Sequence, residues 1–309
     1  MAHLRKRHLS DYCEKLLRFS PIVGVFGHRQ VGKTTYTSGI AGSYLTFDDV
    51  ETRKLAHMNP KKFIKTLAKG HTKDHAKDQK KFPCVIDECQ LEPDLFPSLK
   101  EHVRLNKKPG QFLLTGSVRF SSRKAIRESL TGRILQLEML PLTVSELSQD
   151  PLSDVVPQLL KCGGFDSNTL ALSQSSSKRK SMVAVFEKYL SQGGMPGLCF
   201  VREEKLRREN LNNLIQLILD RDLRLIMETR LSLRTLQDFL VFIAKNAWNP
   251  YNASEVKRQL GLATETQQNL LYALESIYLI RRIPIQPRSG AIYLLEDQIE
   301  ELILSEKSL

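Results

Sequence analysis

The sequence is poor in aromatic residues and cysteines, and it contains no long hydrophobic run. Of its 309 residues, 7% are aromatic and only five are cysteine (Cys13, Cys84, Cys89, Cys162 and Cys199). An odd number of cysteines without paired spacing predicts reduced thiols rather than a disulfide framework. No stretch approaches the roughly 18 consecutive apolar residues that span a bilayer. The N-terminus, MAHLRKRHLSDYCEKLL, lacks the apolar segment of a signal peptide. These absences predict a cytoplasmic protein with no membrane partner.

Acidic residues are also scarce relative to basic ones. The chain holds 46 Lys and Arg against 34 Asp and Glu, a formal net charge of +12. Such a surplus suggests a polyanionic partner such as nucleic acid, although a basic soluble protein without one is an equal alternative. Residues 1–81 alone carry 17 Lys and Arg against 7 Asp and Glu. If nucleic acid is bound, we therefore expect the N-terminal half to supply the phosphate contacts.

The first half of the chain alternates short apolar runs with helix-length segments. A short helix within residues 3–19 leads into the first of five strand candidates, at 22–26, 43–47, 84–87, 111–115 and 133–139. Strands separated by helices are typical of a parallel sheet covered on both faces. The pattern predicts an α/β fold.

Composition also suggests boundaries between domains. The hydrophilic, Lys-rich residues 60–81 and the segment SQSSSKRKS at 173–181 are interpreted as solvated loops. The predicted organisation is an N-terminal helix (1–20), an α/β core (21–150), a linker or insertion (151–181), a helical connector (182–232) and a C-terminal domain (233–309).

A phosphate-binding loop follows the first strand candidate directly. Its residues match the Walker A pattern GxxxxGK[ST] between a strand and a helix: Gly27, His28, Arg29, Gln30, Val31, Gly32, Lys33, Thr34 and Thr35. Glycines let backbone N–H groups turn toward phosphate oxygens, and the helix N-terminus adds its positive end. Lys33 is then expected to reach the β and γ phosphates, and the Thr34 hydroxyl to bind Mg²⁺.

Polar residues end two further strands. Asp87 and Glu88 follow an apolar strand as in a Walker B motif, where Asp87 can hold Mg²⁺ through water and Glu88 can orient or deprotonate the attacking water. Thr115 and Ser117 end the next strand and are candidate γ-phosphate sensors. Arg133, just before the last strand, is a candidate arginine finger acting from a neighbouring subunit, with an ordinary surface or ion-paired arginine as the equal alternative. The acidic pair favours water as acceptor over the substrate of a P-loop small-molecule kinase.

Six segments, in order, resemble one family: GHRQVGKTT, YLTFDD, VIDECQ, FLLTGS, SLTGRILQLEMLPLTVSEL and YLSQGGMPG. They resemble the AAA-type ATP-binding proteins of bacteria and archaea, in which an ATPase domain precedes a winged-helix domain of poorly known function. The resemblance implies an additional-strand P-loop core that uses ATP and Mg²⁺, and it places Arg133 on the family's Gly-Arg step. Relatives commonly continue into a nuclease-like module, and nuclease activity is not expected of a sequence that ends at YLLEDQIEELILSEKSL.

The last 77 residues have the order of a winged helix-turn-helix: helix, turn at Leu260-Gly261-Leu262, second helix from Thr264, then a β segment. If this domain binds DNA, the second helix would present five polar residues to the major groove at its N-terminal end: Glu265, Thr266, Gln267, Gln268 and Asn269. The segment 252–282 has a net charge of only +1, so it has little excess positive charge for phosphate contacts. DNA binding and protein docking therefore stay equal alternatives for this domain.

Two functional hypotheses follow from these patterns. The first is a Mg-dependent ATPase whose nucleotide state repositions the C-terminal domain. The second is a nucleotide-gated regulator, binding DNA or protein through residues 1–81 and 233–309, in which turnover is incidental. A trans-acting Arg133 would require a homo-oligomer.

Overall fold

The computed structural model describes residues 4–69, 83–119, 130, 132–150, 176–285, 290–295, 299 and 303. The first 25 residues of the predicted linker, 151–175, lie outside this part of the chain, as do the Lys-rich residues 70–81.

Five parallel strands form the central sheet. They are β1 (Ile22–Phe26), β2 (Ser43–Thr46), β3 (Cys84–Asp87), β4 (Phe112–Gly116) and β5 (Ile134–Glu138). The strand order is β2-β3-β4-β1-β5, so β4 is the additional strand between β1 and β3. Each predicted strand is confirmed to within one residue at either end, and with them the α/β P-loop fold class.

Burial explains why these runs are strands. β1, β3 and β4 are buried along their whole length, as expected of central parallel strands covered on both faces. β5 lies at one edge and is partly exposed. All strands run the same way, so the residues that follow β1, β3 and β4 meet at one edge of the sheet. That edge carries the predicted site.

Helices of the core surround the sheet. They are α1 (Ser10–Phe19), α2 (Lys33–Ile40), α3 (Val50–Met58), α4 (Pro60–Lys69), α5 (Leu95–Leu105) and α6 (Val144–Ser148). Two buried apolar clusters form against the two sides of the sheet, one built around Phe47, Phe96 and Phe112 and the other around Val23, Val25 and Leu113.

The loop predicted for residues 60–81 is wrong over its first ten residues, which form α4. Pro60 occupies the first helical position, where its missing N–H costs nothing. Phe63, Ile64 and Leu67 share one helix face at i, i+1 and i+4, and all three join the cluster around Phe96. The abundant lysines concealed this apolar stripe because they cover the opposite face.

The C-terminal part is helical and ends in a hairpin. Its elements are α7 (Ser176–Gln192), α8 (Glu204–Leu217), a π-helical turn (Ile218–Asp222), α9 (Leu223–Ile226), α10 (Leu233–Lys245), α11 (Ala253–Leu260), α12 (Thr264–Ser276), β6 (Ile280–Ile285) and β7 (Gly290–Leu295). β6 and β7 are antiparallel. α7 begins at Ser176, so the loop predicted at 173–181 is helical from that residue onward. The domain boundaries themselves stay predictions.

One apolar cluster unites these C-terminal elements. It includes Phe239, Leu240, Leu270 and Leu274, together with Val118 from the segment after β4. Within the described residues, no helix combines the length and the low charge that crossing a membrane requires.

Arg119 joins the sheet to the C-terminal part. Its backbone N–H donates to the Ser276 carbonyl at 2.6 Å, and its Nε donates to the Glu275 carbonyl at 2.8 Å. Its guanidinium also stacks 4.7 Å above the Tyr278 ring centre. A second link runs from Arg281 of β6 to Glu138 of β5, at 2.6 Å. These contacts fix the hairpin and α12 against the end of β5.

Candidate nucleotide-binding site

The loop between β1 and α2 is held in a compact turn. Gly32 has φ +92°, a left-handed conformation that favours glycine, and it directly precedes α2. At Gly27, a Cβ atom would lie 2.2 Å from the Met139 carbonyl oxygen, so only glycine lets the loop pass this close to the end of β5. The turn leaves the N-terminus of α2 available to an anion.

Lys33 lies inside this turn and is almost fully buried. Its Nζ donates to the carbonyl oxygens of Gly27 at 2.9 Å and His28 at 2.8 Å. Burial lowers the pKa of Lys33 to about 8, although the nearby carboxylates of Glu88 and Asp87 oppose the shift. The ammonium group is therefore close to its titration range near neutral pH.

Asp87, at the end of β3, gathers hydroxyl donors from three elements. Thr34 Oγ1 donates to Asp87 Oδ2 at 2.9 Å, Tyr44 of β2 donates to the same oxygen, and Thr115 of β4 donates to Oδ1. Mg²⁺ in octahedral coordination, with ligands at about 2.1 Å, places neighbouring oxygens about 3 Å apart. The separation of Thr34 Oγ1 and Asp87 Oδ2 fits that requirement, so this donor pair suits Mg²⁺.

Glu88 follows at once and lies beside the same edge. It adopts φ +52°, an uncommon left-handed conformation for a residue other than glycine. Its Oε2 accepts hydrogen bonds from Gln90 Nε2 and, at 3.4 Å, from Ser117 Oγ. Thr115 thus contacts Asp87, and Ser117 contacts Glu88.

A cavity of about 820 Å³ opens in front of the loop. Five basic side chains line it, against two acidic ones, Asp48 and Glu88; the basic set is Arg5, Lys6, Arg7, Arg29 and Lys33. The remaining walls include Leu142, Pro196, Gly197 and Phe200. An excess of positive charge in a cleft favours a polyphosphate ligand.

The N-terminal arm, residues 4–10, is a wall of this cavity that sequence reasoning missed. Arg7 is buried, where its Nη1 donates to the Val31 carbonyl at 2.8 Å and its Nε pairs with Glu146 at 3.2 Å. Glu146 also closes the capping box of α6 with Thr143. The sequence signal for this wall is the cluster of basic residues before α1, for which the charge count predicts contacts with nucleic-acid phosphates.

Not every predicted loop residue faces the cavity. Arg29, Gln30, Gly32, Lys33, Thr34 and Thr35 line it. The side chain of Val31 packs in the apolar cluster with Val23 and Val25. His28 is buried and lines a separate cavity of about 350 Å³ beside Tyr278 and Arg281, and burial lowers its pKa to about 4.

Arg133 lies at the opposite edge of the sheet from the acids. The residue after it, Ile134, pairs in register with Ile22 at the beginning of β1, whereas the phosphate loop follows Phe26 at the other end. Four residues of strand place these two ends about 13 Å apart. Arg133 therefore does not reach the site of its own chain, and its role as an arginine finger from a neighbouring subunit stays a prediction.

One residue assigned to the DNA-reading set has a structural role instead. Gln267 is completely buried, and its amide donates to the carbonyls of Ala253 and Leu262 while accepting from the Tyr251 hydroxyl. It therefore ties α12 to α11 and cannot contact a base. Glu265, Gln268 and Asn269 remain exposed on α12.

Comparison with known proteins agrees with this geometry. Residues 19–148 match the AAA domain family, and residues 183–289 match a domain of unknown function (DUF8612). Two curated relatives, uncharacterized proteins of Mycobacterium tuberculosis and Mycobacterium bovis, are each 30% identical over 200 residues, which cover 62% of this chain. The matched region spans 41% of those relatives' length.

A solved structure shows the same fold over most of the chain. A Walker-type ATPase of Pyrococcus abyssi superposes with a TM-score of 0.54 at 16% identity, covering 94% of this chain and 93% of its own. The strand order and the loop between β1 and α2 are those of a P-loop fold, and residues 19–148 are the part of the chain that is similar to the AAA domain family.

Proposed function

We propose that this chain binds Mg-ATP in the 820 Å³ cavity and hydrolyses it slowly, and that the nucleotide state repositions the C-terminal part. The observation that carries the proposal is the convergence of Thr34, Asp87 and Thr115 at one edge of the sheet, beside Lys33 and Glu88. These residue types supply a phosphate contact, two metal ligands and a carboxylate base within one cluster.

Lys33 is held by weak partners that a phosphate can replace. Its two carbonyl acceptors are neutral, whereas oxygens of the β and γ phosphates are charged and form hydrogen bonds about twice as strong. Thr34 and Asp87 would hold Mg²⁺, which neutralises phosphate charge when bound. The arm residues and Pro196, Gly197 and Phe200 would then enclose the rest of the nucleotide.

Glu88 is the group that would activate water. In the hydrolytic step the water oxygen bonds to the γ-phosphorus as the bond to the bridging oxygen breaks, and the water proton passes to the Glu88 carboxylate. Before this, Glu88 must exchange its hydrogen bonds from Gln90 and Ser117 for one from water. This requirement supports slow turnover.

An ion pair supports the idea of repositioning. Arg29 of the phosphate loop makes two hydrogen bonds of 2.8 Å to the carboxylate of Asp222, in the π-helical turn between α8 and α9. Asp222 is buried, and the neighbouring Arg221 pairs with Asp48 beyond β2 at 2.9 Å. Phosphate bound beside Arg29 would compete with Asp222, so the nucleotide could loosen the helical connector.

A second candidate function is regulation through the C-terminal part. The order α10, α11, α12 and the β6–β7 hairpin supports a winged-helix interpretation. Exposed Gln268 and Asn269 are suited to adenine edges, and the same surface could equally dock a protein. In this second candidate function, ATP binding would control the binding of DNA or protein, and ATP hydrolysis would not be required for it.

Phosphate release under steady-state conditions tests hydrolysis. We expect wild type to release phosphate from Mg-ATP, Lys33→Ala to lose nucleotide binding, and Glu88→Gln to bind nucleotide without turnover. Lys54→Ala is the matched control, because Lys54 is an exposed lysine of α3 whose ion pair within the described part of the chain is with Glu51. Equal phosphate release by all four proteins would refute the ATPase proposal.

A further inference from the structure

Three side chains that can bind a metal converge between α3 and the segment that joins β3 to α5. His57 lies in the last turn of α3, and Glu92 and Asp94 lie between β3 and α5. His57 Nδ1 is 3.2 Å from Glu92 Oε1 and 3.8 Å from Asp94 Oδ2, and all three ligand atoms lie within 4.8 Å of one another.

These separations are close to those that a bound ion would impose. In a tetrahedral site with Zn–N and Zn–O distances of about 2.0–2.2 Å, ligand atoms stand about 3.4 Å apart. The distances from His57 to each carboxylate differ from that value by only a few tenths of an ångström. A small movement of exposed side chains would complete the geometry.

The burial of Glu92 is an independent indication of a cation. Its side chain is only 6% exposed, and among the described residues its carboxylate has no partner except His57. The equally buried Glu146, in contrast, accepts from Arg7 and from the backbone N–H groups of His8 and Thr143. A buried carboxylate is costly unless it is paired or binds a metal. Among the described residues, the Glu92 carboxylate therefore points into the cluster, where the imidazole of His57 is its one partner.

We propose that His57, Glu92 and Asp94 form a binding site for one divalent transition-metal ion of the zinc class. An imidazole nitrogen beside two carboxylates suits zinc and its neighbours better than Mg²⁺ or Ca²⁺, which prefer all-oxygen ligands. Three protein ligands leave positions for water, which the exposed His57 and Asp94 admit. The ion would join α3 to the segment that carries Asp87 and Glu88.

Zinc titration of the full chain without nucleotide tests the site. A chromophoric chelator in competition with the protein gives the number of Zn²⁺ ions bound and their affinity. We expect His57→Ala and Asp94→Asn each to remove one Zn²⁺ per chain, or to weaken it more than tenfold, relative to wild type. Both residues are well exposed, so these variants should fold normally.

Two control variants separate this site from other ligands. His102→Ala removes a histidine of α5 outside the cluster, and Glu51→Gln removes an exposed carboxylate of α3 outside it, so both should keep the full zinc stoichiometry. Unchanged zinc binding in His57→Ala would overturn the proposal, as would the absence of zinc binding by wild type at micromolar concentrations. Neither outcome depends on ATP hydrolysis.

Discussion

Lys33 and Asp87 define the chemistry of the site at the scale of single residues. Lys33 is a buried ammonium between two loop carbonyls, and Asp87 accepts three hydroxyl groups. Removing either charge leaves the opposite charge partly uncompensated in a buried setting. Substitutions here should therefore lower the stability of the fold as well as the affinity for nucleotide.

Nucleotide affinity should depend on pH through Lys33. Since burial lowers the pKa of Lys33 to about 8 in the free protein, the charged form that phosphate needs is dominant below pH 8 and scarce above it. Bound phosphate favours the charged form, so the affinity should fall about tenfold between pH 7 and pH 9. Equilibrium titration with a fluorescent ATP analogue measures this change.

Lys33→Arg provides the control for the pH experiment. Its guanidinium stays charged throughout this range, so its affinity should be nearly constant with pH. If wild type and Lys33→Arg show the same pH profile, the pKa of Lys33 does not limit binding.

Single residues of the site could be predicted from sequence to different degrees. Lys33, Thr34, Asp87 and Glu88 are recognisable because the strands and the local pattern fix their positions. Arg7 and Tyr44 are not, because their partners are contributed by distant parts of the chain: Arg7 contacts Glu146, 139 positions away, and Tyr44 contacts Asp87 across the sheet. No local pattern indicates such contacts.

Among the elements, the turn between β1 and α2 depends most on its glycine. Gly27→Ala would place Cβ 2.2 Å from the backbone oxygen of Met139, and backbone cannot yield as a side chain can. We expect this substitution to displace the loop, lower the midpoint of urea unfolding and abolish nucleotide binding.

Gly39→Ala is the matched substitution at the other end of α2. A Cβ at Gly39 meets no atom within 4 Å, and alanine favours a helix over glycine by about 0.5–1 kcal/mol. Its unfolding midpoint should therefore rise slightly. Equal destabilisation by both alanines would show that the contact at Met139 is not the cause.

The π-helical turn Ile218–Asp222 should respond to loss of its ion pair. Asp222→Asn removes the charge that holds Arg29, and breaking a largely buried pair costs about 3 kcal/mol. Hydrogen exchange in residues 204–226 should accelerate in this variant, and also in wild type when a non-hydrolysable ATP analogue binds. The two effects should not add, because both release the same contact.

Arg208→Ala is the control variant, because it also removes a charge from the helical connector but at its surface. Arg208 pairs with Glu204 on the exposed side of α8, and such pairs contribute about 0–1 kcal/mol. An ATP analogue that leaves exchange in 204–226 unchanged in wild type would contradict nucleotide-driven repositioning.

Elements were predicted well where apolar periodicity dominates and poorly where charge conceals it. β1, β3 and β4 are short, mostly apolar runs, and β5 alternates apolar and polar residues, so local patterns are enough to recognise them. α4 was missed because lysines occupy most of its surface, although Phe63, Ile64 and Leu67 form a helical stripe. The many lysines indicate a solvated loop, whereas the helix is indicated by the spacing of the three apolar residues.

Across the whole molecule, most of the excess basic charge and the predicted helix-turn-helix lie in different parts of the chain. Residues 1–81 carry a ten-charge excess, whereas residues 252–282 have a net charge of +1. Each phosphate contact contributes about 0.9 to the slope of log affinity against log salt concentration. The position of the contacts can therefore be read from salt titrations.

Duplex DNA binding should depend on the N-terminal half. Replacing the exposed α4 residues Lys61, Lys62 and Lys65 with alanine should reduce the salt slope by about three. Replacing Lys257 and Arg258 of α11 should leave the slope nearly unchanged. The reverse result would assign the contacts to α11, and no binding by wild type at low salt would eliminate DNA as the partner.

Contacts between the two ends of the chain could not be predicted from sequence. Arg29 and Asp222 are 193 positions apart, and Arg119 and Glu275 are 156 positions apart. Arg29 is one of 46 basic residues and Asp222 one of 34 acidic residues, so composition cannot pair them. Arg119 binds the backbone carbonyl of Glu275, a group that every residue carries. The fold alone brings the phosphate loop and the C-terminal elements together.

A single-turnover measurement examines Mg-ATP binding at the candidate site and the part of Glu88 in hydrolysis together. Excess protein would be mixed with radiolabelled ATP and Mg²⁺, and bound ATP and released phosphate would be followed in the same sample. Wild type should convert its bound ATP to ADP and phosphate, whereas Glu88→Gln should retain ATP with at least a hundredfold slower conversion. Equal conversion rates in both proteins would contradict the assignment of Glu88, and no ATP bound by either would contradict the nucleotide site itself.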